Sequence, residues 1–144
     1  MGIYIDKSIT TTALVNKSNA AKTVGSVSLD VHATAMNNVY SLIVTTYADR
    51  ASAREIANVL IANRLAASVQ MLPVESVYIW QSKVCDRNEI VLFIRTKATM
   101  FDKITETIKK KHPYEVPEII QLPIINGLPD YLQWIDECVE GRKY

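Results

Sequence analysis

The chain has 144 residues, 49% of them hydrophobic, and a formal net charge of +1, which is typical of a single globular domain. The near-neutral charge gives no indication of binding to nucleic acid or an anionic membrane, and no apolar run approaches the roughly 18 residues of a transmembrane helix. The cysteines, Cys85 and Cys138, match no zinc or redox spacing, which favours reduced thiols in a cytoplasmic protein over a disulfide framework.

The first 38 residues differ in composition from the rest of the chain. They are rich in Ser, Thr, Ala and Asn, and the segment "MGIYIDKSITTTALV" lacks the continuous apolar stretch of a secretory signal. Alternating β-prone residues stand on either side of "NKSNAAK", which predicts a hairpin. We therefore predict an N-terminal extension over residues 1–38, folded as a β arm or as an irregular segment, and a main domain over residues 39–144.

A β-rich segment and an amphipathic helix begin the main domain. Val39–Thr46 is the predicted strand, and both Asp49 and Ser52 have side chains suited to capping the helix that follows. The helix is predicted to end near Arg64. Its predicted buried side is formed by residues at helical spacing: Ala53, Ile56, Ala57, Leu60 and Ile61.

A long β-hairpin follows, with strands Val69–Trp80 and Val84–Thr96 joined by a Gln-Ser turn. Pro73 cannot donate a ladder hydrogen bond, so we predict a bulge or bend there. Each residue adds roughly 3.3 Å, so the hairpin should extend beyond a compact sheet and carry an apolar tip. Because an isolated ribbon is only marginally stable in water, we expect a partner subunit to cover it.

A second helix, a fourth strand and a third helix complete the domain. Thr99 is the predicted N-cap of the second helix, with Asp102 three positions later, and Pro113 prevents its continuation. Val116–Ile124 is the predicted fourth strand, and Pro129 suits the first turn of the last helix. The predicted buried residues of the two helices are Phe101, Ile104, Ile108, Tyr131, Leu132, Ile135 and Val139.

The predicted order is βαββαβ with an extra C-terminal helix. Two β-α-β crossovers around a central hairpin predict an α+β fold of the ferredoxin-like type, in which helices cover one face of an antiparallel sheet. This fold hosts many activities, so it does not identify a function. The sequence contains no nucleophile elbow, P-loop, HExxH motif or Gly-rich dinucleotide fingerprint, and we therefore expect a protein that is not an enzyme.

Several segments of the domain resemble one family. "LAASVQ", "SVYIWQSKV", "EIVLFIRT", "HPYEVPEIIQLPI" and "GLPDYLQWI" have the order and spacing of the CutA1, or divalent-cation-tolerance, family, from Tyr40 to about Glu137. The resemblance implies a ferredoxin-like homotrimer with a role in tolerance of copper and other divalent metals. The family's trimers are similar to PII signalling proteins, and animal members are connected with anchoring acetylcholinesterase. Two alternatives therefore remain: a PII-like module that binds a small anion between subunits, and a scaffold for a protein partner.

The chain departs from the family at the proposed copper ligands. Family members with those ligands have a cysteine at the end of the first strand and two consecutive histidines before the proline, where this chain has Thr45, Lys111 and His112. His112 is thus a candidate ligand for copper or another divalent cation, although a single histidine favours a structural role at the helix end. A metal site needs about three or four ligands. Cys85 is the second candidate, as a soft-metal ligand.

Other residues are weighed as parts of a ligand site. Glu115 and Glu118 should fall on opposite faces of an extended segment, so we do not expect them to act together. The aromatic residues favour interface packing, with a ligand cleft between subunits as the alternative: Tyr78, Trp80, Tyr114, Tyr131 and Trp134. Positive charge for an anionic ligand would come from Lys83, Arg95 and Lys97.

Overall fold

A computed structural model of the chain describes residues 39–139, which form an α+β fold around an antiparallel sheet with the strand order β2-β3-β1-β4. The strands are β1 (Tyr40–Tyr47), β2 (Ser68–Trp80), β3 (Lys83–Lys97) and β4 (Ile119–Pro123). The helices are α1 (Arg50–Ala62), α2 (Phe101–Lys109) and α3 (Pro129–Cys138), and a 3-10 turn, Ala98–Met100, precedes α2. The predicted β arm of residues 1–38 lies outside the described residues. None of the described helices is long and apolar enough to cross a membrane.

The helices pack on one face of the sheet. Side chains alternate between the two faces along a strand, and Ile43, Leu92 and Ile94 lie on the face that the helices cover. The helices contribute the fully buried residues of this core: Leu60, Ile104, Ile108 and Ile135. Burying side chains of this size contributes roughly 1.5–3 kcal/mol each, so this layer is the main source of stability.

The opposite face of the sheet is also apolar. Val44 of β1 pairs with Phe93 of β3 on one side and with Ile120 of β4 on the other, so the three side chains share this face. Ile120, Leu122 and Leu72 remain half-exposed. The described helices leave this face uncovered, and an apolar patch shared by adjacent strands is typical of an interaction surface.

The long hairpin of β2 and β3 is confirmed, but the predicted bulge or bend at Pro73 is wrong. Pro73 lies directly opposite Ile90, within a register that runs without a break to the turn. β2 is an edge strand of the described sheet, where a proline is tolerated because its missing donor points away from the neighbouring strand. The predicted turn is confirmed, with positive φ at Gln81 (48°) and Ser82 (62°), as the tightest hairpin turns require.

The structure confirms a predicted N-cap for the first helix and contradicts the one predicted for the second. Asp49 caps α1, since its carboxylate accepts hydrogen bonds from the backbone N–H and the hydroxyl of Ser52, both at 2.8 Å. These bonds hold the pKa of Asp49 below its usual value. The prediction that Thr99 caps α2 is wrong, because Thr99 lies within the 3-10 turn and α2 begins without a side-chain cap. Ile61, predicted to be buried, is exposed at the edge of the buried face of α1.

Candidate functional site

The connection from α2 to β4 bends where the sequence predicts an extended strand. β4 begins at Ile119 instead of Val116, and residues 113–116 form a bend. Pro113 and Pro117 contribute to the difference, because each ring fixes φ near about −65° and restricts the conformation of the residue before it. The backbone N–H of His112 donates to the Ile108 carbonyl at 3.0 Å and closes the end of the helix. The bend places the residues that follow over the open face of the sheet.

His112 forms a hydrogen bond at each ring nitrogen. Nε2 lies 2.8 Å from the Thr46 carbonyl oxygen and donates to it, because a carbonyl only accepts. Nδ1 lies 3.1 Å from the Tyr114 backbone nitrogen and accepts from its N–H. This arrangement requires a neutral ring with its proton on Nε2, and neither nitrogen is free to bind a metal. Burial lowers the pKa of His112, against smaller opposing effects of the Thr46 hydrogen bond and the Glu89 charge.

Aromatic contacts fix the His112 ring between two tyrosines. Its centroid lies 4.4 Å from that of Tyr47 and 5.0 Å from that of Tyr114. The Tyr47 hydroxyl is buried without a hydrogen-bond partner among the described residues, and burial, assisted by the charge of Glu55, raises the pKa of Tyr47 to about 12. His112 therefore has a structural role at this helix end in addition to any role as a ligand.

Tyr114 connects this cluster to a buried carboxylate. Its hydroxyl donates to Glu89 Oε2 at 3.0 Å, and Glu89 is only 5% exposed. Burial raises the pKa of Tyr114 to about 12, and the hydrogen bond to Glu89 and the charge of that carboxylate act in the same direction. The phenol is therefore protonated at neutral pH and serves as a donor to Glu89.

An open cleft of about 280 Å³ lies between the β2–β3 ribbon and residues 113–118. Its aromatic lining consists of Tyr78, Trp80 and Tyr114. Its charged lining consists of the carboxylates Glu89, Glu115 and Glu118 and the guanidinium of Arg87. With three carboxylates and one cation among the described residues, the lining is net negative. It is therefore better suited to a cation than to an anion.

The cleft corrects the prediction for two of the glutamates. Glu115 and Glu118 both line it, so the prediction that they fall on opposite faces is wrong, because the segment is bent. The sequence reasoning missed Glu89. Its position at the start of the apolar run "EIVLFIRT" could have identified it, because a carboxylate among buried strand residues needs a partner.

The two candidate metal ligands occupy different places. Cys85 lines the cleft, and its thiol makes one weak hydrogen bond to the Lys83 carbonyl at 3.9 Å. His112 contacts the cleft residue Tyr114 but is not part of the lining. Within residues 39–139, no group of three or more His, Cys, Asp or Glu side chains has a geometry that could hold a metal ion. The described part of one protomer thus offers an incomplete set of metal ligands.

The remaining predicted site residues lie outside the cleft. Tyr131 and Trp134 contact each other on α3, with ring centroids 5.3 Å apart, and do not line the cleft. Lys97 forms an ion pair with Asp136 at 3.3 Å, outside the cleft. Lys83 and Arg95 are likewise absent from the lining, so the predicted cations for an anionic ligand are not brought together.

Comparison with known proteins points to one family. The family described as "CutA1 divalent ion tolerance protein" matches residues 41–138. The divalent-cation tolerance protein CutA of Thermus thermophilus is 40% identical over 97 residues, which cover 67% of this chain and 94% of that protein. The mouse Protein CutA is 38% identical over 90 residues, 62% of this chain and only 51% of the mouse protein.

A solved structure gives the same result. The periplasmic divalent cation tolerance protein CutA from Archaeoglobus fulgidus is 31% identical to this chain and superposes with a TM-score of 0.68. The similarity covers 69% of this chain and 97% of the archaeal one. The shared region is therefore the sheet-and-helix domain, and about half of the mouse relative has no counterpart in the match.

Proposed function

Because the chain belongs to the CutA1 divalent-ion tolerance family, we propose that it functions in the response to copper or another divalent cation, without catalysing a reaction. The match over residues 41–138 carries this proposal, since it includes nearly every described element. We place this activity in the cytoplasm, where reduced cysteines would persist.

Cys85 is the primary metal ligand of this proposal. Its thiol lines the cleft, Glu115 and Glu118 line the same cleft, and a thiolate is the soft ligand that Cu(I) prefers. His112 is the secondary ligand, and it would have to release either the Thr46 carbonyl or the Tyr114 N–H before binding. Because residues 39–139 of one protomer offer an incomplete ligand set, we expect the affinity to be low.

Anaerobic calorimetry with Cu(I) tests these roles. We expect Cys85→Ser to weaken binding, while Cys138→Ser, the same change at the other half-buried thiol, leaves it unchanged. His112→Gln should weaken binding only if the imidazole leaves its present hydrogen bonds. Identical isotherms for the wild type and Cys85→Ser would remove Cys85 from the proposal, and identical isotherms for His112→Gln would remove His112. A parallel titration with Zn(II) reports the metal preference.

The proposed active form is a homotrimer of ferredoxin-like protomers. The uncovered apolar face of the sheet supports this, as does the ribbon tip, where Val77, Ile79 and Val84 are 70%, 69% and 75% exposed. Apolar residues in this number rarely stay in water on a stable monomer. We propose that residues 39–144 belong to this trimeric domain and that residues 1–38 are an extension added to it.

Sedimentation velocity tests the assembly. We expect a species of about three times the 16.2 kDa chain mass, and we expect Ile79→Asp to shift the population toward smaller species. Ile125→Asp is the matched control, because Ile125 is 82% exposed and lies in the connection between β4 and α3. A wild-type protein with the mass of one chain would contradict the trimer. Equal effects of the two variants would contradict the role of the ribbon tip.

A further inference from the structure

Glu89 carries an unused acceptor into the cleft. Glu89 is only 5% exposed. Within residues 39–139 its side chain forms one hydrogen bond, in which the Tyr114 hydroxyl donates to Oε2. No Lys or Arg of the described residues forms an ion pair with it. Oε1 accepts no hydrogen bond from the described residues and is not one of the buried atoms without a partner, so it is accessible from the cleft and can accept from a ligand there.

The charges around Glu89 indicate the sign of that donor. Glu115 and Glu118 add two carboxylates to the lining, and Arg87 adds a single positive charge. Arg87 lies on the same face of β3 as Glu89, two residues away, but outside ion-pair distance. A ligand with positive charge would therefore meet a net attractive field, and an anionic ligand would meet repulsion from three carboxylates.

The aromatic residues of the cleft indicate that it also suits an organic cation. Tyr78 and Trp80 project from the same face of the ribbon, and Trp80 is the residue type whose ring face attracts cations most strongly. An ammonium group does not need the set of three or four close ligands that a tightly bound metal ion needs and that the described residues lack. The volume of about 280 Å³ is at the lower end of ligand pockets, so the ligand should be small.

We propose that the cleft binds a small alkylamine, whose ammonium group donates to Glu89 Oε1 and whose alkyl part packs against Trp80 and Tyr78. Tyr114 holds Oε2 and so orients the carboxylate toward the ligand. A second ammonium group on the same ligand would find Glu115 and Glu118 at the other wall. This site goes beyond the proposed metal response, because it depends on Glu89 and the aromatic residues instead of on Cys85.

Titration calorimetry with 1,4-diaminobutane tests the site, with 1,4-butanediol as the neutral ligand of similar shape. The full chain is titrated in EDTA at about 0.15 M salt, so that metal does not contribute and weak surface attraction is screened. We expect the wild type to bind the diamine and not the diol. Binding of both ligands with equal affinity, or of neither, would overturn the proposal.

Two variants locate the site. Glu89→Gln keeps the shape of the side chain and the bond to Tyr114 but removes the charge, and we expect at least a tenfold loss of diamine affinity. Glu75→Gln is the matched control, because Glu75 lies on the opposite face of the ribbon. We expect this variant to bind the diamine as tightly as the wild type does. Trp80→Leu should also weaken binding. Unchanged affinity in Glu89→Gln would overturn the proposal.

Two further outcomes separate this site from the other proposals. Cys85→Ser should retain diamine binding, and Glu89→Gln should retain copper binding, so failure of one proposal leaves the other intact. A basic side chain of a second copy is the competing source of the ammonium or guanidinium group. A crystal structure of the assembly with such a side chain on Glu89 would overturn the small-molecule ligand.

Discussion

Two buried threonines of adjacent strands provide a direct test of the hydrogen bonding. Thr45 and Thr96 are both fully buried, but their hydroxyl groups differ. Thr96 Oγ1 donates to the Leu65 carbonyl at 2.6 Å, whereas Thr45 Oγ1 has no partner among the described residues. Thr→Val replaces the hydroxyl with a methyl group of nearly the same shape, so packing is preserved and the change in hydrogen bonding dominates.

The two substitutions should have opposite signs. A buried hydroxyl without a partner carries a desolvation cost of about 1–3 kcal/mol, and removing it recovers part of that cost. We expect Thr45→Val to raise the free energy of unfolding by about 1 kcal/mol. Thr96→Val removes a hydrogen bond and leaves the Leu65 carbonyl with one donor fewer, so we expect a loss of about 1–3 kcal/mol.

Guanidinium denaturation followed by circular dichroism measures the difference. Both variants are compared with the wild type at one protein concentration, because assembly makes the apparent stability depend on concentration. A shift of the midpoint at constant slope reports a change in stability alone. A loss in Thr45→Val as large as that in Thr96→Val would refute the reasoning, since it would mean that the Thr45 hydroxyl has a partner such as a buried water.

Other predictions follow from burial and charge. Burial lowers the His112 pKa below 6.5 in the folded state, so His112 is protonated at a higher pH in the unfolded chain than in the folded one. Stability should therefore decrease from pH 7 to pH 5 in thermal unfolding, and the decrease should be smaller in His112→Gln. Leu60→Ala should lower the free energy of unfolding by about 2–5 kcal/mol in urea titrations, whereas the neighbouring Ile61→Ala, at an exposed site, should cost much less. Lys111→Ala removes an exposed pair with Glu55 and should change stability by at most about 1 kcal/mol, less at high salt; a larger or salt-independent loss would contradict this.

The sequence predicts the parts of the fold that depend on periodicity. The order of strands and helices, the long hairpin and the buried positions Ile104 and Ile108 are confirmed, because helical and strand patterns repeat over many residues there. Outside the start of β4, the errors fall at single positions where two local structures compete. Thr99 satisfies the rule for an N-cap, but β3 continues into a 3-10 turn that leaves no free cap position.

The candidate site was less predictable because it depends on contacts between distant segments. The bend at residues 113–116 brings Glu115 and Glu118 into the same cleft as Glu89, which lies about 25 residues earlier in the chain. No local pattern relates a bend after α2 to a position in β3. Cys85 was identified as a candidate by its chemistry, but its position beside these carboxylates follows only from the register of the ribbon.

The contacts of His112 suggest why a residue in a family motif can matter without binding a metal. Its Nδ1 accepts from the Tyr114 backbone, and Tyr114 in turn donates to Glu89, so the helix end, the bend and the cleft form one continuous set of hydrogen bonds. Protonation of Nδ1 would place a donor against the Tyr114 N–H and break the first of these bonds. The neutral imidazole that burial favours is therefore the form that keeps Tyr114, and through it the Glu89 carboxylate, in position.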